Sequence, residues 1–586
     1  MKEKKLTGYA SIDKPHNKGY SFFARNPIIP SLSVYSTIYL LNKFNQAKDA
    51  VNSLDLTVSY ERMFDDAVTV SRSLKAFGIK KGDIISVSMP NLYQAVVIFL
   101  AANRIGAVTT FLNPGASVEE ITDYLNLFES SVFFNYAKTE EENTKYIKKS
   151  NLQHIITLNK NKINSRNLEL DPINNSQFIS YNALGDVAKY INKGLPNISS
   201  KDNSLILFTS GTTGKPKSVV LTNENIIAAG IYLKNDSKVE SLKGETSLVC
   251  VPFSYPYGFA TSLLMTLMSK KTAILAPDIS PETISYYLAK NPNIIFGSPA
   301  LLSLIMNNVK EDQDLSSVTT YISGGDFLPI NQYEKGIEFF KSHGAIDFEL
   351  GNGSGNAETV SCGTNPTGIE VRPGTVGKVL VGTDAMVVNP ETMEEKKYHK
   401  EGLLCVSGKH VFKEYYKEPE LTKEVKYKKG SKTYFKTGTI GSIDEDGYFT
   451  LKGRESRFYI DSSLNKVYCD HVQRVISNLE GISECAVVKV PDDKKLYVNK
   501  AYIVLDEGLV PSEQLKEKIY LNLLEPVINI NQEKEQLKDF EIPDSLEFIS
   551  LMPRREGTDK IDYALLESEA LKNTKLKQDN QLVKKI

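Results

Sequence analysis

Between residues 61 and 77 apolar side chains return every three or four positions, and Gly78 ends the run. That spacing predicts an amphipathic helix with a glycine stop. Residues 83–89 (DIISVSM) alternate with a period of two, which predicts a strand, and Pro90-Asn91 punctuates it before the next helix. The strand rhythm returns at 205–208, 219–221, 247–252, 272–277 and 293–297. Strands alternating with helices predict an α/β fold layered about parallel sheet. The pattern changes near Gly453. Beyond it lie short elements: 486–490 and 500–505 read as strands, and 512–523 as a helix. Roughly 130 residues suffice for a small α+β domain of their own. The expected organisation is a large, multi-layered N-terminal domain over 1–453 and a small C-terminal domain over 454–586.

Composition narrows the class. A chain of 586 residues is too long for one core. Lys+Arg total 70 against 71 Asp+Glu, so no global basic field exists and a dedicated nucleic-acid binder is disfavoured. The five cysteines (Cys250, Cys362, Cys405, Cys469, Cys485) are dispersed with no CxxC pair, as expected of free thiols in a reducing compartment. The first twenty residues are basic at the start but lack an apolar stretch, so no signal peptide is expected. The most apolar run, 95–112, is broken by Asn103, Arg104 and Gly106 and makes a poor membrane span. A cytoplasmic location is the expectation. Six histidines with no HxxxH or HxH spacing argue against zinc. Polar stretches at 159–167 and 423–432 read as solvated loops or faces, and 572–586 as a frayed tail.

The candidate chemistry concentrates in LILFTSGTTGKPKSVVLT, residues 205–222. An apolar strand runs into Thr209, Ser210, Gly211, Thr212, Thr213, Gly214, Lys215, Pro216 and Lys217, and a second apolar run follows. Glycines let backbone approach an anion, hydroxyls and N–H groups donate to its oxygens, and lysines add charge. The GxxxxGK[ST] spacing of a Walker A loop is not met.

TSGTTGKPK resembles the phosphate-loop signature of the acyl-adenylate-forming superfamily, which holds acyl-CoA synthetases, peptide-synthetase adenylation domains and luciferases. The likeness runs from Thr57-Val58-Ser59-Tyr60 to Lys560, and TGYASIDKP, NKVYCDHVQ and DKIDYALLE lean toward bacterial AMP-dependent CoA ligases. The resemblance implies a large domain binding ATP, Mg²⁺ and a carboxylic acid, and a small mobile domain turning about a hinge at 454–457. Acyl-adenylate and pyrophosphate form first; a thiol, that of CoA or of a carrier protein's phosphopantetheine, then displaces AMP.

Carried over position by position, the resemblance assigns Thr209 to Gly214, Lys215 and Lys217 to the phosphates, with Thr213 also catalytic. Tyr255, in VPFSYPYG, falls where an aromatic or histidine lines the acid pocket, and no Asp is present there to receive an α-ammonium group. Gly324 and Gly325, in Ser323-Gly324-Gly325-Asp326, match the turn bordering adenine and acid. Asn352, Gly353, Ser354 and Glu358 match the aromatic-Gly-x-Thr-Glu segment, where Glu358 is the Mg²⁺-holding carboxylate. Arg454 matches the hinge arginine reaching ribose or phosphate, and Lys560 the lysine bridging acid and α-phosphate. The chain departs from the pattern at Ser354 (usually an aromatic stacking on adenine), Ala357 (usually Thr), Thr439 (usually the Asp accepting ribose hydroxyls), Ser456 and Asp559. Asp544-Ser545-Leu546 looks like a carrier-protein attachment motif, but fits the strand leading into the lysine segment.

A charge-assisted hydrogen bond contributes about 1.5–3 kcal/mol and base stacking about 1–3. Losing both weakens nucleotide binding by roughly two to four powers of ten if nothing compensates. The expectation is a ligase that binds ATP weakly; the alternative is a degenerate relative that binds without turnover.

Overall fold

The computed structural model describes residues 6–160, 178–187, 194–209, 216–235, 245–326, 328–365, 371–492, 495–528, 534–555 and 560–572. Two large sheets organise the first four hundred residues. One has seven strands in the order Glu349–Asn352, Thr320–Ser323, Ile294–Gly297, Thr246–Val249, Thr272–Leu275, Asp49–Ser53 and Leu56–Ser59, parallel except for the last pair. The other has eight, Glu414–Tyr415, Ser218–Thr222, Asn203–Phe208, Val108–Phe111, Ile84–Ser88, Val132–Tyr136, His154–Leu158 and Phe178–Ser180, with only the first two pairings antiparallel.

Helices pack between the sheets and on both outer faces, so the central strands are covered twice and read as continuous apolar runs. Every residue of Ile84–Ser88 is buried. Helix Tyr93–Arg104 lies in the middle layer and is buried from Tyr93 through Asn103, which is why it is apolar all round. Its polar end is fully engaged. Asn103 accepts from the Tyr35 N–H at 2.8 Å and donates to Ser204 and Asn223 at 2.8 Å each. The apolar run at 95–112 therefore serves an interior helix and a central strand, joined where Gly106 takes φ +77°. Among the described residues no helix is long and apolar enough to cross a membrane.

A third, smaller sheet (Asp384–Val388, Gly402–Ser407, Lys432–Ile443 and Lys426–Lys429, with Phe449–Arg454 also on Lys432–Ile443) follows. The polar stretch 423–432 thus contains an edge strand rather than only a loop, because its backbone pairs with Lys432–Ile443; Lys428 and Lys429 are exposed, while Lys426 is half-buried and donates to the Phe412 carbonyl at 3.2 Å. The N-terminal segment is tied down on this sheet. Ser11 binds Glu395, Lys14 pairs with Asp384 at 2.7 Å, and His16 Nε2 lies 2.9 Å from the Thr383 carbonyl.

From Tyr459 onward the apolar side chains form their own clusters on the two faces of a three-stranded sheet, Ile482–Asp492, Leu496–Leu505 and Ser545–Phe548. Helix Cys469–Ser477 packs on Ile482–Asp492, and Glu513–Leu524 is capped by Ser512. Asp544-Ser545-Leu546 enters the last strand, where Ser545 pairs with Lys500. The tail after 572 and residues 161–167 lie outside the described residues.

Three histidines are buried, His16, His410 and His471, the last with its Nδ1 3.0 Å from Glu541 Oε1. His410 is stacked edge-on against Tyr232 at 5.3 Å, and neither of its ring nitrogens has a hydrogen-bond partner among the described residues. Burial pushes His410 down to about 4, and His16, despite the Thr383 carbonyl, to about 4 as well. Between pH 4 and 6.5 the unfolded chain takes up protons that the folded chain refuses. The contribution of these two histidines to stability is therefore flat above about pH 6.5 and falls as pH drops toward 4, by at most a few kcal/mol each. Urea midpoints at pH 7 and pH 5 should differ less for His410→Leu than for wild type; equal differences would show that His410 is not held uncharged.

Candidate active site

The parallel strands of the seven-stranded sheet end at a cavity of about 1040 Å³. In open α/β sheets the carboxyl ends of strands are where ligands bind. Strand Thr320–Ser323 delivers Gly324, Gly325 and Asp326 to its wall, and strand Glu349–Asn352 delivers Asn352, Gly353 and Ser354. The two turns are coupled, since the Gly353 N–H donates to the Ser323 carbonyl at 2.8 Å. A side chain at Gly324 would crowd the site: a Cβ there would stand 3.2 Å from the Tyr257 ring, whose hydroxyl is fixed on the Ile322 carbonyl at 2.6 Å. Asn352 Oδ1 and Ser323 Oγ are buried without a hydrogen-bond partner among the described residues. Ser354, where an aromatic is usual, is pinned through its backbone to Thr364 at 3.0 and 2.9 Å and also lines the cavity.

The antiparallel pair Asn203–Phe208 and Ser218–Thr222 forms the opposite wall. Its neck is closed twice: the Thr209 N–H donates to the Lys217 carbonyl at 3.0 Å, and the Lys217 N–H to Thr209 Oγ1 at 3.1 Å. Both residues line the cavity. Ser210, Gly211, Thr212, Thr213, Gly214 and Lys215 lie outside the described residues. Tyr255 sits at the cavity wall just before a π-helical stretch, Tyr257–Leu264. Such stretches are rare and concentrate at functional sites.

Glu358 is 6% exposed on a single 3₁₀ turn, Ala357–Thr359, capped by Asn356. Its Oε1 accepts a 2.6 Å hydrogen bond from the Tyr415 hydroxyl. Burial and the adjacent carboxylate raise the Tyr415 hydroxyl well above the ordinary range, so it stays a donor. Lys217 Nζ lies 5.3 Å from the centre of the Tyr415 ring. Tyr415 is a site residue that the sequence reading missed. It sits 57 positions from Glu358 in a two-residue edge strand, and no local spacing joins them.

Arg454 ends the strand Phe449–Arg454 directly opposite Thr439. Its guanidinium donates to Thr439 Oγ1 at 2.9 Å and its backbone N–H to Asp470 Oδ2 at 2.7 Å. Thr439 is 2% exposed and lies beneath Arg454 rather than on the cavity wall, which is lined by Lys436, Thr437 and Gly438. Lys560 reaches the same cavity from the C-terminal segment, its Cε 3.8 Å from where a Gly325 Cβ would be. Burial lowers its pKa, Asp326 opposes that shift, and Arg454 and Arg555 add to it. Asp326, in the Ser323–Asp326 turn, is thus the carboxylate that acts on the charge of Lys560.

The family described as AMP-binding enzyme matches residues 42–416. The chain belongs to that family. It is 26% identical to the long-chain-fatty-acid–CoA ligase of Bacillus subtilis (strain 168), over 89% of this chain and 92% of that protein. Among solved structures it resembles the anthranilate CoA ligase AuaEII in complex with anthranoyl-AMP, with TM-score 0.78 and 18% identity over 94% of this chain and 99% of that one. ATP-bound MatB from Rhodopseudomonas palustris superposes with TM-score 0.75 and 22% identity over 92% and 99%. The shared fold has the large N-terminal and small C-terminal domains that the sequence implied.

Removing the Tyr415 hydroxyl leaves a buried carboxylate oxygen without its donor. Tyr415→Phe should cost about 1–3 kcal/mol in urea unfolding. An unchanged midpoint would mean that the bond to Glu358 is not made.

Proposed function

We propose that this protein is an ATP-dependent acid–thiol ligase: a carboxylic acid attacks the α-phosphate of ATP, pyrophosphate leaves, and CoA thiol displaces AMP from the acyl-adenylate. The observation that carries this reading is the convergence of Lys560, Lys217 and Arg454 on one cavity beside the buried carboxylate of Glu358. Nine lysines and arginines, these three among them, line the cavity against six carboxylates, an excess that suits a polyanion. An acid and an α-phosphate repel each other, and Lys560, neutralising both, lowers that cost where charge builds up. The loop from Thr209 to Lys217 serves the β- and γ-phosphates. The residues also fit Mg²⁺: Glu358 would hold it, and the ion would neutralise charge on the leaving pyrophosphate. Asn352 offers the nucleotide a buried oxygen that lacks a partner among the described residues.

Beyond the nucleotide region the cavity is walled by Leu233, Thr261, Met265, Phe296 and Cys362, which supports an apolar acid. We place the domain boundary at 453/454 and the hinge at 454–457. Asp470 holds both the Arg454 N–H and, at 2.8 Å, the Arg457 guanidinium, so those residues tie the strand end to the small domain. Rotation there would withdraw Lys560 and open the site to a thiol. CoA is the proposed acceptor; a carrier protein's phosphopantetheine is the second. The rival reading, a nucleotide or acyl binder without turnover, rests on Thr439 and Ser354.

Pyrophosphate release over a panel of fatty and aryl acids separates them. Lys560→Ala should lower the rate on the best acid by about 10²–10³. If no acid raises release above background, or the variant matches wild type, the ligase reading is wrong. Thr439→Asp sets a carboxylate against the Arg454 guanidinium, cancels positive charge at that corner of the cavity and should weaken ATP binding by about tenfold in calorimetry. An unchanged affinity would remove position 439 from nucleotide binding.

A further inference from the structure

Helix Ile330–Ser342 begins without a cap of its own. It follows the Gly324–Asp326 turn that lines the cavity, and Pro329 at its start supplies no side-chain hydrogen bond. The Tyr333 N–H makes the first helical bond, to the Pro329 carbonyl at 2.9 Å, so the N–H groups ahead of it have no acceptor within the helix. The small domain provides one. Asn478 Oδ1 accepts from the Ile330 N–H at 3.1 Å, and the Asn478 carbonyl accepts from Asn331 Nδ2 at 3.0 Å. Asn478 lies 148 positions from Ile330, on the far side of the domain boundary.

Asn478 ends helix Cys469–Ser477, so the C-terminal end of one helix meets the N-terminal end of another, and their partial charges attract. Both helices are tied to the site. In the large domain Gln332 donates to Ser303 Oγ at 2.7 Å, which fixes the start of its helix on helix Pro299–Asn308. In the small domain the helix ahead of Asn478 carries Asp470, which holds Arg454 and Arg457. It also carries Gln473, whose side-chain amide lies 3.1 Å from the hydroxyl of Tyr563, three positions past Lys560. Pro329, Gln332 and Ser477, beside the contact, line the cavity. The ion pair alongside, Lys335 with Asp506 at 3.3 Å, is open to solvent and adds little.

We propose that Asn478 is a positioning residue for acyl-adenylate formation: it caps helix Ile330–Ser342 from across the domain boundary and latches the small domain over the cavity with Lys560 inside. Lys560 is at the cavity in this arrangement, so the latch serves the first half-reaction. Rotation about 454–457 carries helix Cys469–Ser477 away, parts both Asn478 bonds and turns the freed groups to water. The cost is that of an N-cap, small enough to be undone in every cycle and large enough to bias two states. The chemistry served rests on the ligase reading above, but the latch itself is read without turnover.

The two half-reactions, measured separately on the full chain, test it. The Asn478→Ala/Asn331→Ala double variant should release pyrophosphate on the best acid at least about tenfold more slowly than wild type. Given acyl-adenylate and CoA, the same variant should form thioester at the wild-type rate or faster. Asn478→Asp keeps an oxygen for the Ile330 N–H and should restore most of the rate that Asn478→Ala loses. Opening is followed by a brief pulse of acetic anhydride without substrates, read by mass spectrometry at Lys560. Acetylation there should be at least about fivefold faster in the double variant. The proposal is overturned if Lys560 is labelled alike in both proteins, if the two half-reactions slow equally, or if Asn478→Asp is as slow as Asn478→Ala. Should no acid draw pyrophosphate from wild type, the ligase reading fails while the labelling still decides the latch.

Discussion

One carboxylate, that of Asp470, connects the two ends of the molecule. It receives the backbone N–H of Arg454 at the last residue of a strand in the third sheet, and the guanidinium of Arg457 one turn later. Arg457 in turn lies 3.4 Å from the centre of the Tyr563 ring, and Tyr563 stands three positions beyond Lys560. The position of Lys560 in the cavity is thus set by a chain of contacts rather than by its own local sequence. An ion pair shielded from water is costly to form and costly to break, so such a junction has discrete arrangements rather than a continuum. That is the behaviour a hinge needs.

The departures from the family pattern acquire a physical meaning in this setting. Thr439 is not a weakened acceptor standing at the wall. It is a buried neutral partner for Arg454, itself fixed by the backbone N–H that donates to Thr437 at 3.1 Å. A neutral hydroxyl holds the guanidinium in place without cancelling its charge, so the cavity keeps a full positive charge at that corner. Ser354 leaves room where an aromatic ring would stand, while Asn352 contributes a buried oxygen without a partner among the described residues close by in the chain.

Much of the architecture was legible from periodicity. The helix expected at 61–77 is Tyr60–Ala76, the strand at 83–89 is Ile84–Ser88, and the strands at 247–252, 272–277 and 293–297 all join one sheet. The apolar run at 95–112 needed the fold to say which solvent it meets, and the answer is protein on every side. The small domain's strands proved longer than their apolar cores, because Ile482–Asp492 and Leu496–Leu505 form a hairpin whose polar ends still pair through the backbone. The lysine-rich 423–432 stretch misled in part for the same reason, since an edge strand needs hydrogen bonds and not apolar side chains.

By itself the sequence determined the alternation of strands and helices, the glycine and hydroxyl chemistry of the loop from Thr209 to Lys217, and the family to which the chain is similar. These are local properties: side-chain period, turn residues and short motifs are written in neighbouring positions. Only the tertiary structure decided that Asp326 comes near enough to Lys560 to act on its charge, that Tyr415 holds Glu358, that Thr439 lies under Arg454, and that Phe22 and Phe23 remain uncovered. Each of these depends on which distant strand ends meet or which faces stay unpartnered. Burial and charge then act through space, over distances that sequence spacing does not encode.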